Sequence, residues 1–130
     1  MKLSQSVAYA IHASLRLADH RDEAPMSCNR LAEQGKMHER FLLQILRDLA
    51  KQGILQSTRG GGGGFMLDRA PEEISLLEVI EAVEGPLTPG LPLKASFPHP
   101  AGDRLHNVLR KVTDEVRRQL QAVKLSDLAK

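Results

Sequence analysis

The sequence predicts a mainly α-helical chain with one small β-hairpin: a winged helix-turn-helix followed by a long C-terminal helix used for dimerisation. Three observations carry that expectation. Apolar residues recur at three- and four-residue spacing through five separate stretches. A short connection containing glycine joins the second and third of these, the layout of a helix-turn-helix. Five consecutive glycines, Gly60 to Gly64, then separate two short β-prone segments.

The first helix spans residues 4–19, with Ser4 as N-cap and Val7, Ala10, Ile11, Leu15 and Ala18 as its apolar positions. A polar turn, DHRDEAP, follows. Residues 27–34 form a second helix, opened by Ser27 and ended by Gly35. Residues 39–52 form a third, with Phe41, Leu42, Ile45, Leu46 and Leu49 on its buried face. Arg40, Gln44, Arg47 and Lys51 share the opposite face, and Gly53 closes the helix. Residues 54–59 read as a strand and 65–67 as its return. Ser75-Leu76-Leu77-Glu78 is a capping-box pattern that opens a fourth helix through about Val83, whose apolar face is Leu76, Val79, Ile80 and Val83.

From Gly85 to Gly102 five prolines and three glycines rule out a regular element and predict a long loop. Residues 103–123 then form the longest helix. Leu105, Val108, Leu109, Val112, Val116, Leu120 and Val123 run along one side. That stripe is too long for the rest of a small chain to cover, so a second copy is the expected partner. Residues 125–128 look like a short final turn. The organisation expected is therefore 1–84 winged helix-turn-helix, 85–102 sensory-type loop, and 103–130 dimerisation helix with C-terminal turn.

Bulk composition narrows the function. The 130 residues are 42% hydrophobic and only 3% aromatic, so the core must be aliphatic. Net charge is +2, unevenly spread: residues 1–69 carry ten Lys/Arg against seven Asp/Glu, residues 70–102 one against five, residues 103–130 seven against four. A polyanion would meet the N-terminal part first. Cys28 is the single cysteine, which excludes an internal disulfide and points to the cytoplasm. No signal peptide or membrane span is visible.

Glycine runs can cradle phosphate in an enzyme, but this one lacks the context. A P-loop needs a lysine and then a helix; here Phe65 and a strand follow Gly64. No nucleophile–base pairing, complete metal-ligand set or cofactor motif is present, so no enzyme is expected. A hairpin directly after a helix-turn-helix is a wing. In that arrangement the third helix enters the major groove, and a glycine tip brings main-chain amides close to phosphate. The flanking Arg59 can enter a narrow minor groove.

Motifs along the whole chain support a more specific reading. Met1-Lys2-Leu3-Ser4, Leu31-Ala32-Glu33, Glu39-Arg40-Phe41-Leu42 and Leu49 to Leu55 (LAKQGIL) are similar to stretches of one family. So are Arg59-Gly60-x-x-Gly63-Gly64-Phe65-x-Leu67, Pro71 to Pro86 (PEEISLLEVIEAVEGP) and Leu125-Ser126-Asp127-Leu128. Together they make the chain resemble the IscR/NsrR/CymR family of bacterial regulators, the Rrf-two superfamily. The resemblance implies a homodimeric transcription factor whose long C-terminal helix crosses its twin. Members sense iron–sulfur status, nitric oxide, redox state or sulfur metabolites. Cluster-binding members carry three cysteines, usually in the loop matching residues 86–106. This chain has none there, so no iron–sulfur cluster or other cofactor is expected.

The candidate DNA-binding residues are Lys2, His38, Glu39, Arg40, Gln44, Arg47, Ser57, Arg59 and Gly60. Arg40 and Gln44 lie near the N-terminus of the third helix, the part that meets base edges. Arg47 is further along, and is either a contact or a solvated residue. His38 stands at the N-cap and could hydrogen-bond a phosphate. Glu39 either accepts from a cytosine amine or favours the helix N-terminus electrostatically. Lys2, Ser57, Arg59 and Gly60 are candidate backbone or minor-groove contacts. Two weaker sites are visible. Cys28, in the first turn of the second helix, is either a reactive thiol or a small packing residue. His99, Asp103 and His106, with His12 added across a dimer, could bind zinc or iron; the plain alternative is a solvated loop and helix surface.

The function expected is a sequence-specific regulator, a repressor, binding a pseudo-palindromic operator in double-stranded DNA as a homodimer, with no membrane association. The alternative is a winged-helix adaptor that binds a partner protein and no specific DNA. Salt-dependent duplex binding separates the two.

Overall fold

The computed structural model describes residues 1–130. Its elements follow in order: helix α1 (Gln5–Asp19), α2 (Cys28–Gly35), α3 (Glu39–Lys51), strands β1 (Leu55–Thr58) and β2 (Gly64–Leu67), then α4 (Leu76–Glu84), α5 (Ala101–Ala122) and α6 (Leu125–Leu128). One-turn 3-10 segments lie at Arg21–Glu23, Pro71–Glu73 and Lys94–Ser96. No helix is long and apolar enough to cross a membrane.

Local chemistry accounts for the helix starts. The Ser4 hydroxyl accepts the Val7 amide at 3.2 Å and donates to Glu84, so one N-cap also joins α1 to the end of α4. Ser27 accepts from Arg30 at 3.1 Å. Ser75 and Glu78 form the expected capping box: Glu78 N–H to Ser75 Oγ at 3.1 Å, and Ser75 N–H to Glu78 Oε2 at 2.9 Å.

One aliphatic core organises the head. Leu17 of α1, Leu31 of α2, and Leu42, Leu46 and Leu49 of α3 are fully buried, with Ile54, Leu55, Ile74 and Val79 around them. Each such burial contributes about 1.5–3 kcal/mol. Leu125 of α6 enters the same core. It is held there by its amide on the Ile74 carbonyl at 2.9 Å, while the Leu76 amide bonds the Val123 carbonyl at 2.8 Å. The C-terminal turn is therefore stitched onto the head.

Several expectations shift. The buried face of α1 is Val7, Ala10, Ala13, Ser14 and Leu17; Ile11, Leu15 and Ala18 are only half-buried at its flank. Phe41 is 38% exposed rather than core. It sits one position off the centre of the α3 face, and the Tyr9 ring packs on it, edge to face at 5.1 Å. Gly35 is the last helical residue; Lys36 takes the left-handed conformation, at φ 53°. A Cβ at Gly35 would stand 2.7 Å from Met37 Cε, the end of a flexible side chain that can move aside. Leu77 replaces Leu76 and Val83 as a fully buried residue of α4. The proline-rich stretch is not wholly irregular, because residues 94–96 make a 3-10 turn and α5 starts at Ala101. Along α5 only Gly102 is fully buried, and Leu105, Val108 and Val112 are 37%, 56% and 54% exposed.

Candidate nucleic-acid interface

The entry of α3 is the most constrained part of the helix-turn-helix. His38 is the N-cap, and its Nδ1 accepts the Phe41 amide at a long 3.5 Å. An accepting Nδ1 leaves Nε2 as the protonated nitrogen of the neutral ring, directed away from the helix. The His38 amide donates to the Tyr9 hydroxyl at 2.9 Å. Tyr9 thus ties α1 to the N-cap of α3 and supports Phe41 with its ring. Sequence reading did not single out Tyr9; a half-buried tyrosine on an otherwise aliphatic helix face was the available signal. Glu39 is held from the α2 side, its carboxylate accepting from Asn29 Nδ2 at 3.2 Å.

Arg40, Gln44, Arg47 and Lys51 are all exposed along one face of α3. None of the three cations makes an ion pair, whereas Arg30, Arg69 and Arg117 elsewhere each bond a carboxylate. The Gln44 amide nitrogen bonds Asp48 Oδ1 at 3.1 Å, which leaves its carbonyl oxygen outward. Lys2 precedes α1 and is exposed.

The hairpin pairs Leu55 with Leu67, Gln56 with Met66, Ser57 with Phe65 and Thr58 with Gly64. Leu55, Phe65 and Leu67 point to the core, while Ser57 and Arg59 stay exposed. Beneath it, Met26 and Phe65 exchange two backbone hydrogen bonds, at 2.9 and 2.8 Å, pinning the wing to the chain just before α2. The glycines then separate by role. Gly60 has φ 101°, which side-chain-bearing residues rarely adopt. A Cβ at Gly63 would lie 2.5 Å from the Thr58 carbonyl oxygen, and one at Gly64 2.4 Å from that of Met26. Gly61 and Gly62 meet nothing within 4 Å.

The Cys28 thiol is not lowered by its helix terminus. Burial pushes its pKa up, Glu39 adds to this, and Arg47 only partly opposes it. Its Sγ–H donates to the Glu39 carbonyl at 3.4 Å, a packing role. Nor does one chain gather the metal candidates. His12 accepts from Arg16 Nε at 3.0 Å, and burial, then Arg16, lower its pKa. Asp103 pairs with Lys94 at 3.3 Å, and with His99 it lines a different cavity of about 430 Å³. His106 turns a buried, unpartnered Nδ1 inward. No three His, Cys, Asp or Glu side chains converge anywhere.

Comparison with known proteins agrees with this geometry. Residues 3–130 match the family model Rrf2, described as an iron-dependent transcriptional regulator. The HTH-type transcriptional regulator CymR of Bacillus subtilis is 29% identical over 129 residues, covering 99% of this chain and 90% of that protein. The HTH-type transcriptional regulator IscR of Photorhabdus laumondii is 30% identical over 130 residues, covering 98% and 79%. The solved structure of CymR, called the global cysteine regulator of B. subtilis, superposes with a TM-score of 0.80, covering 99% of this chain and 96% of that one. The family description names iron, but the residues here do not fit a cysteine-ligated cluster. Cys28 is the only cysteine, and its thiol is spent on a backbone carbonyl.

Proposed function

The chain belongs to the Rrf2 family of transcriptional regulators, and from that premise we propose that it is a homodimeric repressor of sequence-specific operators. One observation carries the reading: the exposed, unpaired face of α3 lies beside a glycine wing that presents an equally unpaired Arg59. Arg40 and Gln44 read base edges in the major groove, with Glu39 beside them able to accept from a cytosine amine. His38 Nε2, Lys2, Ser57, Arg47 and the Gly60 amide take phosphates. Arg59 enters the minor groove, where a narrow groove concentrates negative potential.

A second copy covers the apolar stripe of α5, so that Leu105, Val108 and Val112 leave water. Two-fold pairing presents two identical readers, hence a pseudo-palindromic double-stranded site. Occupying that site in the cytoplasm excludes the transcription machinery, which is repression. Nothing in the donor set calls for a cofactor.

The test is binding to a duplex that the protein itself selects from a random library. The double variant Arg40→Ala/Arg59→Ala is expected to bind at least about 10-fold more weakly, each arginine being worth roughly 1–3 kcal/mol. Arg47→Ala, which removes one phosphate contact, should instead flatten the salt dependence by about one unit of slope. Unchanged affinity at moderate salt would sink the assignment of these residues. A protein that selects no duplex, and shows no salt-dependent binding, is the adaptor instead.

A further inference from the structure

The long helix α5 is anchored to the core of the head at its C-terminal end. Its exit is fixed by the backbone bonds Leu76 N–H to Val123 O at 2.8 Å and Leu125 N–H to Ile74 O at 2.9 Å. Two turns earlier there is one lateral tie. Arg117 Nη1 donates to Glu81 of α4 and to the Leu87 carbonyl at 3.2 Å. The Leu87 amide closes the triangle by donating to the same Glu81 oxygen at 2.6 Å. Glu81 is the more enclosed partner, its side chain 21% exposed against 36% for Arg117. Beyond Arg117, residues 101–116 form an arm about 24 Å long along which only Gly102 is fully buried.

The loop spans this lever from end to end. At its root it is the Leu87 corner of the triangle. At the tip, Lys94 pairs with Asp103 at 3.3 Å, and Gly102 packs so close to the loop that a Cβ would stand 2.7 Å from the Lys94 carbonyl oxygen. Because the arm is long, small rotations at Arg117 become large displacements. A rotation of about 10° moves the tip by about 4 Å, more than the roughly 3.4 Å between base pairs.

We propose that Arg117 is a positioning residue for DNA recognition: held between Glu81 and the loop root, it sets the angle of α5 and thereby the half-site separation the dimer accepts. The inference rests on the dimeric DNA-binding reading above and extends it. Arg117 touches no DNA; it acts through the helix that joins the two readers. A molecule or modification that shifts the loop at Leu87 would act on operator choice through the same triangle.

The experiment uses the full chain and duplexes carrying two copies of the half-site that the wild type selects, with the spacer shortened by one base pair, unchanged, or lengthened by one or two. The wild type should show one sharp optimum. Arg117→Gln should lose about 10-fold at that optimum and respond weakly to spacing, with single half-site binding and dimerisation unchanged and the chain still folded at the assay temperature. Arg117→Lys, which restores the charge and one donor, should recover part of the optimum. A spacing profile identical to wild type overturns the proposal. So does a loss that falls equally on single half-sites, or a dimer that dissociates, since either makes Arg117 merely structural. A wild type that selects no duplex is a separate failure, that of the DNA-binding reading itself.

Discussion

Replacing Gly64 by alanine asks whether the wing is held as its hydrogen bonds imply. The new Cβ would lie 2.4 Å from the Met26 carbonyl oxygen and 2.8 Å from the Ser27 nitrogen, both backbone atoms. Ordinary contact begins near 3.4 Å, so one segment must retreat by about 1 Å. That retreat breaks the paired bonds between Met26 and Phe65, at 2.9 and 2.8 Å. Each is worth about 0.5–1.5 kcal/mol net, so Gly64→Ala should cost about 1–3 kcal/mol. Gly61→Ala is the control. Its Cβ meets nothing within 4 Å, and the residue is not held at positive φ. It should be neutral, or stabilising by about 0.4–1 kcal/mol through the unfolded chain. Urea unfolding read by far-UV circular dichroism gives both values, and each kcal/mol corresponds to about 3–5 °C in a melt. Equal stability of the two variants would refute the steric account of the glycine run.

Three further outcomes are expected. Val112→Asp with Val108→Glu should turn the dimer into a folded monomer in sedimentation, because it places charge on the exposed α5 stripe; a persistent dimer would put the interface elsewhere. Glu78 is pushed up by burial, but the Ser75 and Arg69 hydrogen bonds and the Arg69 charge outweigh that, leaving its pKa below the ordinary value of 4.5. A depressed folded pKa means the stabilisation is complete above pH 4.5 and is lost as pH falls through the folded value. Glu78→Gln, which keeps a capping-box residue, should therefore flatten the acid limb of stability against pH; an unchanged limb would contradict the assignment. Cys28, with its raised pKa, should react with iodoacetamide at pH 7 more slowly than an exposed cysteine peptide. Faster reaction would restore the activated-thiol reading.

The elements were legible because period and punctuation agree with packing. Ser4, Ser27 and the Ser75–Glu78 box mark three helix starts that the structure repeats to the residue. What was not legible depends on neighbours distant in sequence. Counting placed Phe41 inside, but burial at that edge required more than Tyr9 to cover it. The Cys28 argument used the helix terminus, a local property, whereas burial and Glu39, eleven residues away, decide the sign. Composition marks 85–102 as loop, yet residues 94–96 form a 3-10 turn and α5 already begins at Ala101. For the candidate interface, sequence gave the exposed face of α3 and the flanking arginine. It did not give the Tyr9 support or the Met26 pin, which are contacts between elements. The glycine run shows both sides: the family signature asks for positions 60, 63 and 64, and those are the ones where a side chain meets strain or backbone.

The stitching of Leu125 into the head has a consequence for biosynthesis. The Ile74 carbonyl and the Leu76 amide pair with Leu125 and Val123, about fifty positions later. While the chain is growing, α3 and the hairpin can assemble early, but the core beneath α4 stays open at one side until α5 has been made. Closure of the head thus waits for residues 123–125. It comes after the whole of α5 has been made, so the head closes only once the exposed α5 stripe exists.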